Sequence, residues 1–198
     1  MESFIAITVG FFLFAVLHSV FAALPVQQTL ERWLGRFGRC YRLMYNVLSI
    51  AFIAVLVWLY PPTGEVLYSV PPPYNYLMRL VQFFGVVMFA ASLTGFSQGA
   101  FLGLNCLSKR ARRPAERLNT GGLYRYCRHP MYTASMLYLL FQPTMNVGLL
   151  AYTLNILLYF WIGSIFEERR LMRIFGEEYE RYRRQVPKFI PRWSLRSQ

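Results

Sequence analysis

Residues 4–24, FIAITVGFFLFAVLHSVFAAL, contain no Asp, Glu, Lys or Arg. At about 1.5 Å of rise per residue, a helix of this length crosses a hydrocarbon core of about 30 Å. The segment lacks the basic start and the small-residue cleavage pattern of a signal peptide, so we predict a retained membrane helix. The whole chain of 198 residues is 56% hydrophobic and only 15% charged, which excludes an ordinary soluble domain.

Three further stretches without charged residues predict the remaining membrane helices. The last of them is too long for one crossing, and the polar break at 142–146, which contains Pro143, divides it into a helical hairpin. The first helix of this hairpin is short, so we expect it to start in protein-lined space. We therefore predict an all-α polytopic membrane protein with about five transmembrane helices. The predicted spans after 4–24 are Leu43–Tyr60, Leu80–Leu104, Met131–Phe141 and Val147–Phe166.

The basic residues predict the orientation in the membrane. Segments 25–42, 105–130 and 167–198 hold all 21 Lys and Arg residues except Arg79. By the positive-inside rule these three segments are cytoplasmic, the N-terminus lies outside and the C-terminus inside. The net charge of +12 lies beside predicted membrane ends, so we attribute it to membrane lipids and topology and expect no nucleic-acid partner.

The three cysteines, Cys40, Cys106 and Cys127, fall in the predicted cytoplasmic segments. Their number is odd and their spacing does not match that of a metal site. We therefore expect them to be reduced, with no disulfide and no bound metal.

His18 is a polar residue inside the first predicted span. Such residues usually face a protein partner or a cavity, because leaving them against lipid is costly. A hydrogen bond to a neighbouring helix explains it without a catalytic role. The alternative is a group near an acceptor pocket.

Two sequence clusters in the second half carry most of the recognisable chemistry. Residues 119–124, NTGGLY, precede residues 128–132, RHPMY. The glycine pair lets the backbone approach a ligand closely, and Pro130 suits the first turn of a helix whose free N–H groups can face a carboxylate. The pattern indicates the rim of a cofactor site. A basic juxtamembrane loop with an ordinary helix start is the alternative.

The second cluster begins with two adjacent carboxylates, Glu167 and Glu168, at the end of the last span. They are costly if buried and unremarkable if solvated. Beyond them, possible i,i+4 charge pairs over 177–184 predict an amphipathic cytoplasmic helix. We hypothesise that this tail folds back over residues 119–132 and closes a pocket, and a purely structural tail helix is the alternative.

Taken together, these blocks resemble the isoprenylcysteine carboxyl methyltransferase superfamily, which also contains phospholipid methyltransferases. The matching pieces are Gly122-Leu123-Tyr124, Arg128-His129-Pro130-x-Tyr132, Glu167-Glu168-x-x-Leu171, Phe175-Gly176-Glu177-Glu178-Tyr179-x-x-Tyr182 and Val186-Pro187. In the first half, Leu17-His18-Ser19 and Tyr41-Arg42-Leu43-x-Tyr45-Asn46 resemble its bacterial branch of NnrU-like proteins and methanethiol S-methyltransferases.

The resemblance implies an enzyme that uses S-adenosyl-L-methionine, with a cytoplasm-facing cofactor cleft and an acceptor that enters from the membrane. It also implies one membrane domain, with a three-helix part over 1–115 and a cofactor-binding part over 116–198. The cofactor contacts carried over by the resemblance are Leu118, Asn119, Tyr124, His129, Pro130, Met131, Tyr132 and Glu167. The catalytic candidates are Arg128, which would favour a thiolate, and His129 and Glu168, which can take a proton.

One departure from the family bears on the acceptor. Prenylcysteine enzymes place an arginine four residues before the first glutamate, where it meets the substrate carboxylate, and that position here is Gly163. We therefore expect a small thiol or another hydrophobic acceptor. Three alternatives remain open: a phospholipid or isoprenylcysteine-type methyltransferase, a non-enzymatic protein that binds lipid or a partner, and a sterol-type reductase that uses a nicotinamide nucleotide.

Overall fold

A computed structural model describes residues 2–94, 99, 102–107 and 117–192 of the chain, and their regular structure is mainly helical. The α-helices are α1 (Glu2–Ala22), α2 (Leu24–Trp33), α3 (Tyr41–Leu59), α4 (Tyr74–Leu93), α5 (Pro130–Leu140), α6 (Val147–Phe175) and α7 (Glu177–Gln185). Short 3-10 helices cover Gly35–Cys40, Leu104–Leu107 and Gly122–Arg125, and two short strands are β1 (Val66–Ser69) and β2 (Thr144–Asn146).

Four helical stretches among the described residues are long and apolar enough to cross a membrane. Many of their large apolar side chains are exposed, as helices facing lipid require, and Phe12 and Ile50 are 68% and 70% exposed. The prediction of an all-α polytopic membrane protein is confirmed. The four stretches are Glu2–Ala22, Gly35–Leu59, Tyr74–Leu93 and Val147–Phe175.

The fourth predicted span, Met131–Phe141, corresponds to helix α5 to within one residue at each end. This helix has 11 residues, about 16 Å at the usual rise, and is too short to cross the membrane alone, so the described residues contain four helical stretches long enough to cross where about five spans were predicted. Helix α4 begins six residues before the predicted start at Leu80, because Arg79 is tolerated one turn inside a helix end, from which its long side chain can reach polar surroundings. The predicted third span continues beyond Thr94, but of that part the structure describes only residues 99 and 102–104. Residues 108–116 of the basic loop and 193–198 of the tail also lie outside the described residues.

The two strands form an antiparallel sheet that joins the two turns lacking basic residues. At one end the Val147 N–H donates to the Glu65 carbonyl at 3.0 Å, and at the other the Val70 N–H donates to the Pro143 carbonyl at 2.8 Å. Paired turns lie on the same side of a membrane, as the charge pattern predicts. Which side is outside stays a prediction.

The chain forms two compact units, and the first contains the described residues of 2–68, 99–107 and 145–155. Within it, His18 on α1 makes hydrogen bonds with Ser49 and Tyr45 on α3, at 2.9 and 2.6 Å. These bonds agree with the interhelical role considered for His18. Tyr152 adds a hydrogen bond from its hydroxyl to the Tyr60 carbonyl at 2.8 Å.

Cys40 and Cys106 form a disulfide in this first unit, so the expectation of three reduced cysteines was wrong. The two residues are 66 positions apart in sequence. They meet because Gly103, with φ +81°, brings its backbone against the start of α3, where any side chain would collide with the Leu43 backbone. The spacing of the cysteines in the sequence does not predict this close approach of the two backbone segments.

The second unit contains the described residues of 69–94, 117–144 and 156–192. Helices α4 and α5 pack closely in it, because Gly85 has no side chain to hold them apart. A Cβ atom at Gly85 would lie 3.0 Å from the Ala134 carbonyl oxygen and 3.6 Å from the Leu137 Cβ. Gln82 donates to the Tyr138 carbonyl at 3.1 Å across the same contact.

We expect Gly85→Leu to destabilise the second unit. A branched side chain at this position must push α4 away from α5, and overpacking of this kind costs about 1–3 kcal/mol. Thermal unfolding of the detergent-solubilised protein should show a lower midpoint for Gly85→Leu than for wild type. Val86→Leu is the matched control, because Val86 is 54% exposed. Equal midpoints for Gly85→Leu and wild type would contradict the close α4–α5 contact.

Candidate functional site

The C-terminal tail folds back because Gly176 breaks the helical run between α6 and α7. Its φ of +53° with ψ −124° is a backbone conformation that glycine adopts without strain and that other residues rarely adopt. After this turn, α7 buries Tyr179 and Tyr182 on one face, and Val186 follows them into the same cluster. Leu118, a predicted cofactor contact, packs against this cluster. The tail is therefore fixed to the segment that precedes the RHPMY motif.

The segment after α7, residues 186–192, makes backbone hydrogen bonds with residues 126–129, and we call it the strap. The Arg128 N–H donates to the Pro187 carbonyl at 2.9 Å, and the His129 N–H donates to the Lys188 carbonyl at 3.1 Å. The Thr133 hydroxyl donates to the Phe189 carbonyl at 2.8 Å. These bonds hold the start of α5 and the motif against the tail.

Glu168 lies at the centre of a charged cluster. Its Oε1 atom accepts from Arg128 Nε at 2.9 Å, lies 2.8 Å from Arg128 Nη2, and is 3.1 Å from His129 Nε2. The side chains of Glu168 and Arg128 are only 13% and 11% exposed. Removal from water makes an unpaired charge costly, so each of these groups depends on its partner.

His129 joins Glu168 to Glu167, because its second ring nitrogen, Nδ1, lies 3.4 Å from Glu167 Oε2. The Tyr132 hydroxyl donates to the same Glu167 oxygen at 3.0 Å. The His129 side chain is 4% exposed whereas that of Glu167 is 46% exposed. Glu167 is thus the carboxylate of this cluster that a molecule from outside can reach. The stretches beginning at Asn119 and at Glu167 meet here.

The surroundings of His129 favour its protonated form. Burial alone would lower the pKa of His129, but hydrogen bonds to Glu167 and Glu168 and their negative charges outweigh burial and raise it. Both ring nitrogens face carboxylate oxygens, and only the imidazolium carries a proton on each nitrogen. His129 is therefore a donor between two acceptors.

Three aromatic rings lie in parallel beside Glu167. The Tyr132 ring stacks on the His129 ring at 5.2 Å with an interplanar angle of 1°, and on the Phe160 ring at 4.7 Å and 9°. Such faces attract a cation and stack with a heterocycle. The aromatic stack and the Glu167 carboxylate together form a surface suited to a ligand that has a positive charge and a ring system.

Tyr179 adds a buried polar atom near the same cluster. Its side chain is 1% exposed, and its hydroxyl has no hydrogen-bond partner among the described residues. Burial, together with the charge of Glu168, raises the pKa of Tyr179 to about 12, so the hydroxyl keeps its proton. A buried hydroxyl without a partner costs about 1–3 kcal/mol, which favours contact with a polar atom of a ligand.

The other predicted contacts surround this cluster. The Tyr124 carbonyl accepts from the Tyr182 hydroxyl at 2.6 Å, and burial raises the pKa of Tyr124. Asn119 accepts a hydrogen bond from the Gly121 N–H at 3.2 Å within its own turn. Pro130 is buried in the first turn of α5, and Met131 is half-buried beside it. The structure therefore joins five predicted residues directly, namely Arg128, His129, Tyr132, Glu167 and Glu168.

Sequence reasoning did not identify Phe160, Tyr179 or Phe189 as site residues. Phe160 precedes Glu167 by seven residues, two helical turns, so helical periodicity could have placed it on the same face of α6. The Phe189 ring lies 5.6 Å from the His129 ring, and only the pairing of the strap brings it there. Local sequence contains no signal for that contact.

The exposed carboxylate and the aromatic stack fit an organic cation. Within the part of the chain that the structure describes, no group of three or more His, Cys, Asp and Glu side chains is arranged to hold a metal. S-adenosyl-L-methionine carries a sulfonium, an amino acid group, a ribose and an adenine. The exposed Glu167 carboxylate, the aromatic stack and the buried Tyr179 hydroxyl match those groups in charge and polarity.

Comparison with known proteins identifies the relatives of this chain. The family model described as NnrU protein matches residues 6–190. Methanethiol S-methyltransferase 2 of Bradyrhizobium diazoefficiens is 30% identical over 192 residues, which cover 91% of this chain and 70% of the relative. Methanethiol S-methyltransferase 1 of the same organism is 29% identical over 90% of this chain and 64% of the relative. The enzyme named methanethiol S-methyltransferase from Pseudomonas deceptionensis is 29% identical, over 90% of this chain and 69% of the relative.

The chain spans 64% to 70% of the length of these three relatives. No solved structure matches it. The predicted relationship to the NnrU-like branch of the isoprenylcysteine carboxyl methyltransferase superfamily is confirmed. Because one family model accounts for residues 6–190 of the 198, the chain belongs to the NnrU protein family.

Proposed function

We propose that this protein is an integral-membrane methyltransferase that transfers a methyl group from S-adenosyl-L-methionine to a small thiol such as methanethiol. The observation that carries the proposal is the cluster in which an exposed Glu167 carboxylate lies beside the stacked rings of His129, Tyr132 and Phe160. The names of the relatives support S-methylation of methanethiol. We propose that the site faces the cytoplasm, as the charge pattern indicates, and that the membrane is a bacterial inner membrane, as the resemblance to the bacterial branch implies.

The chain's own side chains have distinct roles in holding this cofactor. Glu167 accepts hydrogen bonds from the ammonium group or the ribose, because its carboxylate is the exposed end of the cluster. Phe160, at the end of the stack, offers an aromatic face to the cationic sulfur or to the adenine, and Tyr132 orients Glu167 through its hydroxyl. The remaining residues line the cofactor as the family resemblance implies, and they are Leu118, Asn119, Tyr124, Pro130 and Met131.

The cofactor supplies a methyl carbon already activated by its bond to a sulfonium. With the cofactor held there, the acceptor sulfur would form a bond to this carbon as the carbon–sulfonium bond breaks, and the departing sulfur would keep the electron pair. The protein contributes alignment and exclusion of water. The thiol must first lose its proton, because the thiolate is the nucleophile.

Either His129 or Glu168 can accept that proton. The contacts of the two side chains distinguish them as proton acceptors. Glu168 Oε1 already faces three nitrogen atoms, two from Arg128 and one from His129. His129 accepts a proton only in its neutral form, which its surroundings disfavour at low pH. We therefore propose that the neutral form of His129 is the acceptor, and that activity rises with pH as this form becomes populated.

Gly163 supports a thiol acceptor over a carboxylate acceptor. A Cβ atom at this position on α6 would have no atom within 4 Å, apart from its own helix and its chain neighbours. The arginine that pairs with the substrate carboxylate in prenylcysteine enzymes is thus absent, and open space lies in its place. A small neutral thiol needs no such partner.

A direct assay with labelled S-adenosyl-L-methionine tests the acceptor. We expect the detergent-solubilised protein to methylate methanethiol, and to show much lower turnover of a farnesylcysteine analogue and of phospholipid vesicles. Preferred turnover of the farnesylcysteine analogue or of the lipid would refute the thiol assignment. No binding of the cofactor or its demethylated product would refute the methyltransferase assignment itself.

We expect Glu167→Gln to weaken binding of S-adenosylhomocysteine. The change removes the negative charge that faces the ligand, and a hydrogen bond to a charged group contributes about 1.5–3 kcal/mol, or about ten- to a hundredfold in affinity. Isothermal titration calorimetry in detergent measures the effect. Glu180→Gln is the matched control, since Glu180 pairs with the exposed Arg184 on α7. Equal losses in both variants would argue against a specific role for Glu167.

The raised pKa of His129 predicts a pH-dependent stability. Since the folded protein holds this proton more tightly than the unfolded chain, the stabilisation is complete below the unfolded pKa of about 6.5 and is lost as pH rises through the higher folded value. The unfolding midpoint of wild type should therefore fall with rising pH in that window.

His129→Gln should flatten this dependence, measured by thermal unfolding at a series of pH values. His18→Gln serves as the control, because the only other histidine of the chain lies in the first unit. An unchanged slope in His129→Gln would contradict the raised pKa.

A further inference from the structure

Arg128 is the most highly bonded side chain of the site. Two of its guanidinium nitrogens contact Glu168 Oε1, Nε at 2.9 Å and Nη2 at 2.8 Å. Its third nitrogen, Nη1, donates to the carbonyls of Arg183 at 3.0 Å and Val186 at 2.6 Å. These carbonyls lie at the C-terminal end of α7, where helix carbonyls lack partners within the helix. One side chain thus joins α6 to the end of α7.

The planar fork of the guanidinium makes this connection possible. It presents N–H groups in fixed directions, so one edge can hold a carboxylate while the remaining nitrogen holds two carbonyls. With four contacts of this kind and an exposed fraction of only 11%, the Arg128 side chain is directed toward the protein. The backbone N–H of Arg128 adds a bond to the strap, to the Pro187 carbonyl.

We propose that Arg128 is a positioning residue, which aligns Glu168 and, through Glu168, the imidazole of His129 by tying both to the end of α7. The inference rests on the proposed methyltransferase function for its catalytic meaning, although the coupling itself is a property of the folded chain. His129 Nε2 shares the Glu168 oxygen that Arg128 holds, at 3.1 Å. Displacement of Glu168 must therefore alter the surroundings of His129.

The charged and titratable groups around His129 define what a change at Arg128 does. Glu167 and Glu168 face it from α6, Tyr132 stacks on it from α5, and Lys188 approaches Glu168 from the strap. Arg128 competes with His129 for the same carboxylate oxygen. Loss of this cation leaves Glu168 to interact more strongly with the imidazolium, so His129 should hold its proton to higher pH.

Histidine NMR titration tests the coupling without any cofactor. The chain has two histidines, and a His18→Asn background assigns the remaining signal to His129. We expect the His129 titration midpoint to move to higher pH in Arg128→Gln, and to a lesser extent in Arg128→Lys, because an ammonium keeps the charge without the fork. Arg184→Lys is the matched control, since Arg184 also pairs with a glutamate but is 76% exposed. It should leave the midpoint unchanged.

Limited trypsin digestion provides a second measurement. Without the hydrogen bonds of the guanidinium group, the end of α7 and the strap should unfold locally more often. Cleavage after Lys188 should therefore be faster in Arg128→Lys than in Arg184→Lys. The methyl-transfer rate of Arg128→Lys should fall by about 10- to 100-fold, because misalignment of about 1 Å has effects of that size. If Arg128→Gln does not fold, the measurements on Arg128→Lys test the proposal.

An unchanged His129 midpoint and unchanged cleavage in Arg128→Lys, together with a raised KM for the thiol, would overturn the proposal and make Arg128 a substrate contact. A shifted midpoint with faster cleavage would support it. If wild type binds no S-adenosylhomocysteine, the methyltransferase function fails, whereas the titration and the digestion still judge the coupling.

Discussion

Two carboxylates at the end of an apolar helix impose the main constraint on this protein. Glu167 and Glu168 follow the longest apolar stretch of α6, and Glu168 is largely removed from water. A buried charge without a partner is strongly destabilising, so the fold must bring cations to this position. Arg128 and His129 provide them from a segment about 40 residues earlier in the chain. The C-terminal tail serves to hold that segment in place.

The tail holds the pairing through its own packing and through backbone hydrogen bonds. Gly176 turns the chain, α7 buries two tyrosines, and the strap pairs with residues 126–129. Each contact is modest alone, since a typical intramolecular hydrogen bond contributes about 0.5–1.5 kcal/mol. They act on the same few residues, however, so the position of His129 depends on all of them.

This arrangement separates two carboxylates that are adjacent in sequence into different tasks. Glu168 faces the protein and is paired, whereas Glu167 is 46% exposed and lies beside the aromatic stack. Such a division suits an enzyme that must hold a cationic cofactor while it keeps a neighbouring histidine aligned.

Sequence alone was sufficient for the features that depend on local composition. The first, second and last spans lie within a few residues of α1, α3 and the apolar part of α6, because transfer of a segment into lipid depends on its own side chains. The motifs that carry the site were also recognisable, through their resemblance to a family. The start of α4 was misplaced because Arg79 was taken as a boundary.

Only the tertiary structure decided which residues meet. Three contacts join residues that are 55 or more positions apart in sequence. They are the Cys40–Cys106 disulfide, the ring contact of Phe189 with His129 and the hydrogen bond from Arg128 to the end of α7. Such contacts depend on where helices turn and how closely their backbones approach. The free energy of a segment in the membrane is a sum over its own residues, whereas a pairing between distant segments exists only once both are positioned.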